Sequence, residues 1–113
     1  MIPSIKLIAD SGSTKTEWCI LKNIKETLFT TQGMSPYFLN AREVEEIIQR
    51  EVIPFIKKTK VNEIFFYGTG CKNPVNKKMF TSIFQKYWAL QASMALVIFT
   101  AMEIIQAVIG KHL

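Results

Sequence analysis

Asp10, Ser11, Gly12, Ser13, Thr14, Lys15 and Thr16 are consecutive residues of the kinds that handle phosphate. A glycine among small residues lets backbone amides come close to an anion. Hydroxyls and a lysine ammonium add further donors. A carboxylate does not bind phosphate, but Asp10 can hold a hydrated Mg²⁺ that does. The run lies between two apolar stretches. Ile5, Leu7, Ile8 and Ala9 read as a buried strand before it, and Glu17-Trp18-Cys19-Ile20-Leu21 as a strand after it. Trp18, Ile20 and the small Cys19 are available there for packing. Strand, acidic turn, strand is the pattern of a nucleotide-phosphate hairpin. The plain alternative is an ordinary polar β-turn, although Asn-Gly or two glycines would turn the chain more cheaply.

A P-loop does not fit. That motif places a glycine directly before its lysine and a helix directly after it. Here Thr14 precedes Lys15, and Trp18, Cys19 and Ile20 favour strand over helix.

The elements that must hold this turn are legible downstream. Lys25 to Thr31 reads as a third strand around Leu28 and Phe29, followed by a Gly- and Pro-containing loop from Gln32 to Leu39. Asn40 with Glu43 forms a capping-box variant. Val44, Ile47, Ile48, Val52, Phe55 and Ile56 then recur on one face of an amphipathic helix. Pro54 must kink or loosen that helix, because it removes a donor and crowds the preceding turn. Glu63 to Tyr67 reads as a fourth strand ending in Gly68-Thr69-Gly70-Cys71. Such a turn at a strand's carboxyl end is either a ligand loop or a simple strand-to-helix connection. Asn73-Pro74 opens a second helix, with Val75, Met79, Phe80, Ile83, Phe84 and Tyr87 on its apolar side.

Ile8 to Trp18 resembles the first phosphate motif of the N-acetylglucosamine kinase-like proteins. These belong with the activator ATPases of benzoyl-CoA reductase to the actin, sugar kinase and heat-shock chaperone superfamily. Thr31-Gln32-Gly33-Met34-Ser35-Pro36-Tyr37-Phe38 and Ile64-Phe65-Phe66-Tyr67-Gly68-Thr69-Gly70-Cys71 agree with that family in order and spacing. The resemblance covers about Ile5 to Cys71. It implies an α/β, ribonuclease-H-like mixed sheet flanked by helices, the N-terminal half (residues 1–113) of a two-domain kinase. ATP and an amino sugar would bind between the halves. Carried over, Asp10 supports Mg²⁺, and Ser11, Gly12, Ser13, Thr14, Lys15 and Thr16 form the nucleotide site, with Gly12 to Lys15 facing the phosphates. Ser35, Gly68, Thr69 and Gly70 would contact substrate. The family often carries an asparagine where this chain has Ser35, which offers fewer hydrogen-bonding groups.

A kinase of this kind also needs a base to take the proton of the attacking sugar hydroxyl. The resemblance puts the family's base aspartate at Thr100 or, allowing one deletion, at Ala101, and neither can do that work. Glu103 is the nearest carboxylate, a turn into the following helix. The chain is therefore expected either to act as an amino-sugar kinase only with a second domain or a homo-oligomeric partner, or to be a catalytically inactive remnant that binds nucleotide or a protein partner.

Residues 89–109 are apolar enough to raise a membrane span. Gln91, Ser93, Thr100, Glu103 and Gln106 dilute the stretch, and Glu103 alone would cost about 2.5–3.5 kcal/mol at the bilayer centre. A buried strand from Ala95 to Phe99 followed by a helix fits better, so no membrane association is expected.

The 113 residues, 49% of them apolar, suffice for one domain with a real core. The net charge of +5 comes largely from Lys57, Lys58 and Lys60 and from Lys72, Lys77 and Lys78. These sit at helix ends and loops without interleaved arginines or stacking aromatics, which argues against a nucleic-acid partner. Cys19 reads as a buried small hydrophobe and Cys71 as a loop thiol, with no metal spacing between them. His112 lies at the chain end, without metal or catalytic partners in sequence. Met1 to Lys6 leads directly into a strand, which predicts a cytoplasmic protein.

Overall fold

A computed structural model describes residues 5–56 and 61–88, and the backbone of 95–99. The three leading strands form an antiparallel meander: β1 (Ile5–Ser11), β2 (Lys15–Lys22) and β3 (Lys25–Gln32). The chain then crosses over through helical segments to β4 (Glu63–Gly68), which pairs parallel to β1 on its other side. Helix α3 (Pro74–Trp88) leads to β5 (Ala95–Phe99), parallel to β4. The resulting five-stranded mixed sheet has the order β3-β2-β1-β4-β5.

Alternation along the strands decides which side chains meet the helices. Leu7, Ala9, Trp18, Phe29, Ile64 and Phe66 are buried together with Val44, Ile48, Val52, Phe80 and Phe84 from the helical segments. The opposite side of the sheet carries Lys6, Ile8, Asp10, Glu17, Cys19 and Leu28. Asn62 clips the entry to β4 against β1: its Oδ1 accepts the Ile5 amide at 2.9 Å, and its own amide donates to the Ile5 carbonyl at 2.8 Å.

The first crossover contains the predicted capped helix. In α1 (Ala41–Ile47), the Asn40 side chain accepts from the Glu43 amide, and the Glu43 carboxylate accepts from the Asn40 amide. The disturbance expected from Pro54 takes the form of a π turn over Ile48–Val52, followed by the short α2 (Ile53–Ile56). Proline lacks the N–H that would continue an α-helical ladder and its ring crowds the carbonyl four residues back. The ladder widens before it, so that the Ile53 amide donates to Ile48, five residues earlier.

Several packing expectations need correction. Phe55 is exposed to solvent on one side, with its ring stacked on Phe29 at a centroid distance of 4.6 Å. Val75, at the start of α3, is 74% exposed, whereas Phe80, Ile83 and Phe84 form that helix's buried face. The two cysteines exchange roles. Cys19 lies beside Trp18 in sequence and therefore on the opposite, half-exposed side of β2. Cys71 is fully buried under the end of β4. The predicted strand from Ala95 to Phe99 is present as β5. Thr100, Ala101, Glu103, the helix expected after β5, His112 and the Lys57, Lys58 and Lys60 group lie outside the described residues. Among the described residues no helix is long and apolar enough to cross a membrane.

Two predictions follow from this packing. Phe66 is fully buried, with its ring 4.5 Å from Phe80 and 5.0 Å from Phe84 between centroids. Phe66→Ala is expected to destabilise the fold by about 3–5 kcal/mol in urea unfolding, and Val75→Ala by less than about 0.5 kcal/mol. The second concerns Cys71, whose thiol is pushed up to about 11, chiefly by burial. A folded-state pKa above the unfolded one contributes stability that is complete below the unfolded pKa and lost as pH rises through the folded one. Unfolding midpoints should therefore fall between about pH 9 and pH 11, and Cys71→Ala should flatten that part of the profile.

Candidate phosphate site at the β1–β2 hairpin

The predicted hairpin is present. The last cross-strand pair is Ser11 with Thr16, and the Gly12 amide donates to the Lys15 carbonyl at 2.9 Å to close the turn. No helix begins at Gly12. The Gly12 amide is consumed by this closure, which leaves Ser13 and Thr14 as the exposed tip.

Asp10, Gly12, Ser13, Thr14, Lys15 and Glu17 line an open pocket of about 320 Å³. Asp10 is exposed at the carboxyl end of β1, between Glu17 on β2 and Tyr67 on β4 in the sheet register. Burial pushes the Tyr67 phenol up, so this neighbour of Asp10 stays neutral. Lys15 Nζ lies 2.9 Å from Glu17 Oε1. On the other side of the tip, Ser13 and Thr14 join Gln32, Gly33, Ser35, Phe38 and Leu39 around a second pocket of about 240 Å³.

Ser11 and Thr16 were expected in the nucleotide site, but both hydroxyls are turned into the protein and buried. Their protons can be assigned from their partners. Thr16 Oγ1 donates to the Gln32 carbonyl at 2.9 Å, and a carbonyl can only accept. At the 2.8 Å contact between the two hydroxyls, Ser11 must therefore be the donor. Ser11 Oγ in turn accepts the Met34 amide at 3.2 Å. The Gln32 carbonyl also receives the Thr31 hydroxyl at 3.1 Å, and Thr31 receives the Trp18 indole N–H at 2.9 Å. The carboxylate of Glu51, from the π turn, accepts both the Gln32 amide at 3.1 Å and the Gln32 side-chain amide at 2.5 Å. These residues hold the turn from behind.

Gly33 completes the attachment. Its amide donates to the Thr14 carbonyl at 3.2 Å, and a Cβ there would stand 2.4 Å from the Ser13 carbonyl oxygen. Only a glycine lets the loop approach this closely.

The predicted substrate residues divide. Ser35 lines the second pocket, buried, with its hydroxyl accepting the Tyr37 amide at 3.3 Å. Gly68, Thr69 and Gly70 line neither pocket. Gly68 fits against the Phe66 ring and Cys71 Sγ, and the Thr69 amide donates to the Ser11 carbonyl at 3.0 Å. Gly70 has φ +82° and is packed under Pro36 and Tyr37. This loop ties the end of β4 to the hairpin. Glu17, Gln32 and Glu51 were missed. Glu17 was detectable as the residue two positions beyond Lys15, which strand alternation puts on the same side. Glu51 was not, because its placement depends on the π turn. Among the described residues, no three or more His, Cys, Asp or Glu side chains come together as a metal centre.

No family model matches the chain, and no curated protein sequence does. Among solved structures, it is similar to T. thermophilus RuvC in complex with Holliday junction substrate. The TM-score is 0.52 at 14% identity, over 92% of this chain and 69% of that one. At this identity the likeness carries the fold alone. The fold is the ribonuclease-H-like mixed α/β sheet with helices that the sequence resemblance implies.

The hydroxyl chain makes a specific prediction. Thr16→Val keeps the shape of the side chain but leaves the Ser11 hydroxyl without its acceptor. It is expected to cost about 1–3 kcal/mol in urea unfolding. An unchanged midpoint would show that the chain of hydroxyls contributes nothing to stability.

Proposed function

We propose that this chain is the nucleotide-phosphate-binding half of an ATP-dependent, amino-sugar kinase-type module, with the polyphosphate of Mg-ATP at the β1–β2 hairpin. The observation that carries this reading is the open pocket where Asp10, at the end of β1, meets Gly12, Ser13, Thr14 and Lys15 on a hairpin braced from behind. Its position supports the reading. In α/β sheets, ligands bind at the carboxyl ends of strands where the connections diverge to opposite sides. Here β1 continues to β2 on one side and lies beside β4 on the other.

Thr14 and Ser13 would donate to phosphate oxygens, and Asp10 would orient a hydrated Mg²⁺. The amino sugar would take the adjoining pocket beside Ser35. Phosphoryl transfer depends on charge stabilisation and positioning from both sides of the nucleotide. The hairpin offers one side, so a second domain or a second copy of the chain would supply the other. With Thr100 or Ala101 at the base position, the chain alone binds nucleotide without turning over sugar. A cytoplasmic setting, where ATP is available, accompanies this reading.

The likeness to RuvC, solved with a Holliday junction, makes a nucleic-acid backbone the rival anion. The charge of the hairpin favours the nucleotide. Among the described residues two carboxylates and one lysine line it, whereas grips on nucleic-acid backbones are built from several Lys and Arg side chains.

Calorimetric titration with Mg-ATP tests the proposal, with four-way-junction DNA as competitor. Weak, saturable binding is expected. Thr14→Ala and Asp10→Asn should each weaken it roughly tenfold, the equivalent of about 1.5 kcal/mol for a hydrogen bond to a charged group. No N-acetylglucosamine phosphate should form. Equal binding by both variants would remove the hairpin from the nucleotide site, and displacement of Mg-ATP by junction DNA would favour the rival anion.

A further inference from the structure

Among the described residues Lys15 is the sole lysine lining the hairpin pocket, and its ammonium is already engaged by Glu17. Residues 15 and 17 project to the same side of β2 because side chains alternate along a strand. Asp10 faces Glu17 across the β1–β2 pairing, so all three charges border one opening. Both partners of the ion pair are more than half exposed, at 63% and 59%. An exposed pair of this kind is weak enough for a competing anion to break.

A free polyphosphate approaching the turn meets two carboxylates and a lysine already held by one of them. To engage Lys15 it must first separate the pair, and that separation is the cost Glu17 imposes. A polyphosphate complexed with Mg²⁺ carries its own countercharge and meets less of this opposition. We propose that Glu17 restrains Lys15 and thereby sets the preference of the hairpin for metal-complexed over free polyphosphate. This rests on the reading of the hairpin as a phosphate site. It makes Glu17 a specificity-determining residue that acts through another side chain.

The test compares tripolyphosphate with and without Mg²⁺, titrated by calorimetry into the 113-residue chain. The variants are Glu17→Gln, Lys15→Gln and the double variant. Glu17→Gln should bind the metal-free anion about two- to fivefold more tightly, the range expected for release of an exposed ion pair. Its affinity for the Mg²⁺ complex should not rise, so the ratio of metal-bound to metal-free affinity should fall by at least the same factor. In the Lys15→Gln background the gain should vanish. An unchanged ratio in Glu17→Gln overturns the inference. So does a gain that persists without Lys15, since Glu17 would then repel the anion directly. If neither the parent chain nor Glu17→Gln binds either form, the phosphate-site reading itself has failed and the inference falls with it. That result is readily told apart from an unchanged ratio.

Discussion

Between the hairpin and the loop that follows β3, buried hydroxyls pass hydrogen bonds in one direction. The Met34 amide donates to Ser11, Ser11 to Thr16, and Thr16 to the Gln32 carbonyl. Polar groups taken out of water cost free energy unless each finds a partner, and no buried side-chain polar atom among the described residues lacks one. The satisfied chain fixes the spacing between the hairpin and residues 32–34. That spacing sets the Gly33 contact, and the Gly33 contact sets where Ser13 and Thr14 stand between the two pockets. Replacing both hydroxyls by apolar groups could preserve packing at β1 and β2, yet it would leave the Met34 amide and the Gln32 carbonyl with fewer partners.

The same loop is held from the helical side. Glu51 reaches the Gln32 amide and side chain because the π turn carries it there, and the π turn exists because Pro54 cannot continue an α-helical ladder. A proline that reads as a defect in the helix thus places a carboxylate behind the candidate site. Bulges of this type recur at functional positions for this reason: they re-aim one side chain while the rest of the helix keeps its buried face.

How much of this was legible beforehand follows from which interactions are local. The hairpin, the Asn40–Glu43 cap, the Asn73 start of α3 and the strand at 95–99 rest on neighbours in sequence, and all are present. The orientation of Ser11 and Thr16 depends on residues 16 to 23 positions away, so composition alone put their hydroxyls at the wrong face of the turn. Strand alternation could have corrected this. Ser11 follows Leu7 and Ala9 on one side of β1, and Asp10 lies on the other. Cys19 and Cys71 were misjudged for related reasons. Being in a strand buries only alternate residues, and being in a loop exposes nothing when the loop folds under the end of β4. Tertiary contact decided both.

A ribonuclease-H-like sheet brings the end of β1 beside the end of β4, but it does not say which chemistry will occupy that junction. In this chain the register shows which of the described side chains border it. Hydrolysis of a phosphodiester by paired metal ions requires several carboxylates converging on one place, and a β4 side chain level with Asp10 would be the natural contributor. That position holds Tyr67, a buried neutral phenol, and the next two are Gly68 and Thr69, which stitch the loop to Ser11. Among the described residues the second carboxylate beside Asp10 is Glu17 on β2, where it is paired with Lys15. The polar groups around Asp10 are therefore weighted toward the hairpin and away from β4. An anion drawn to Asp10 through a metal would, among the described residues, meet the turn at Ser13 and Thr14.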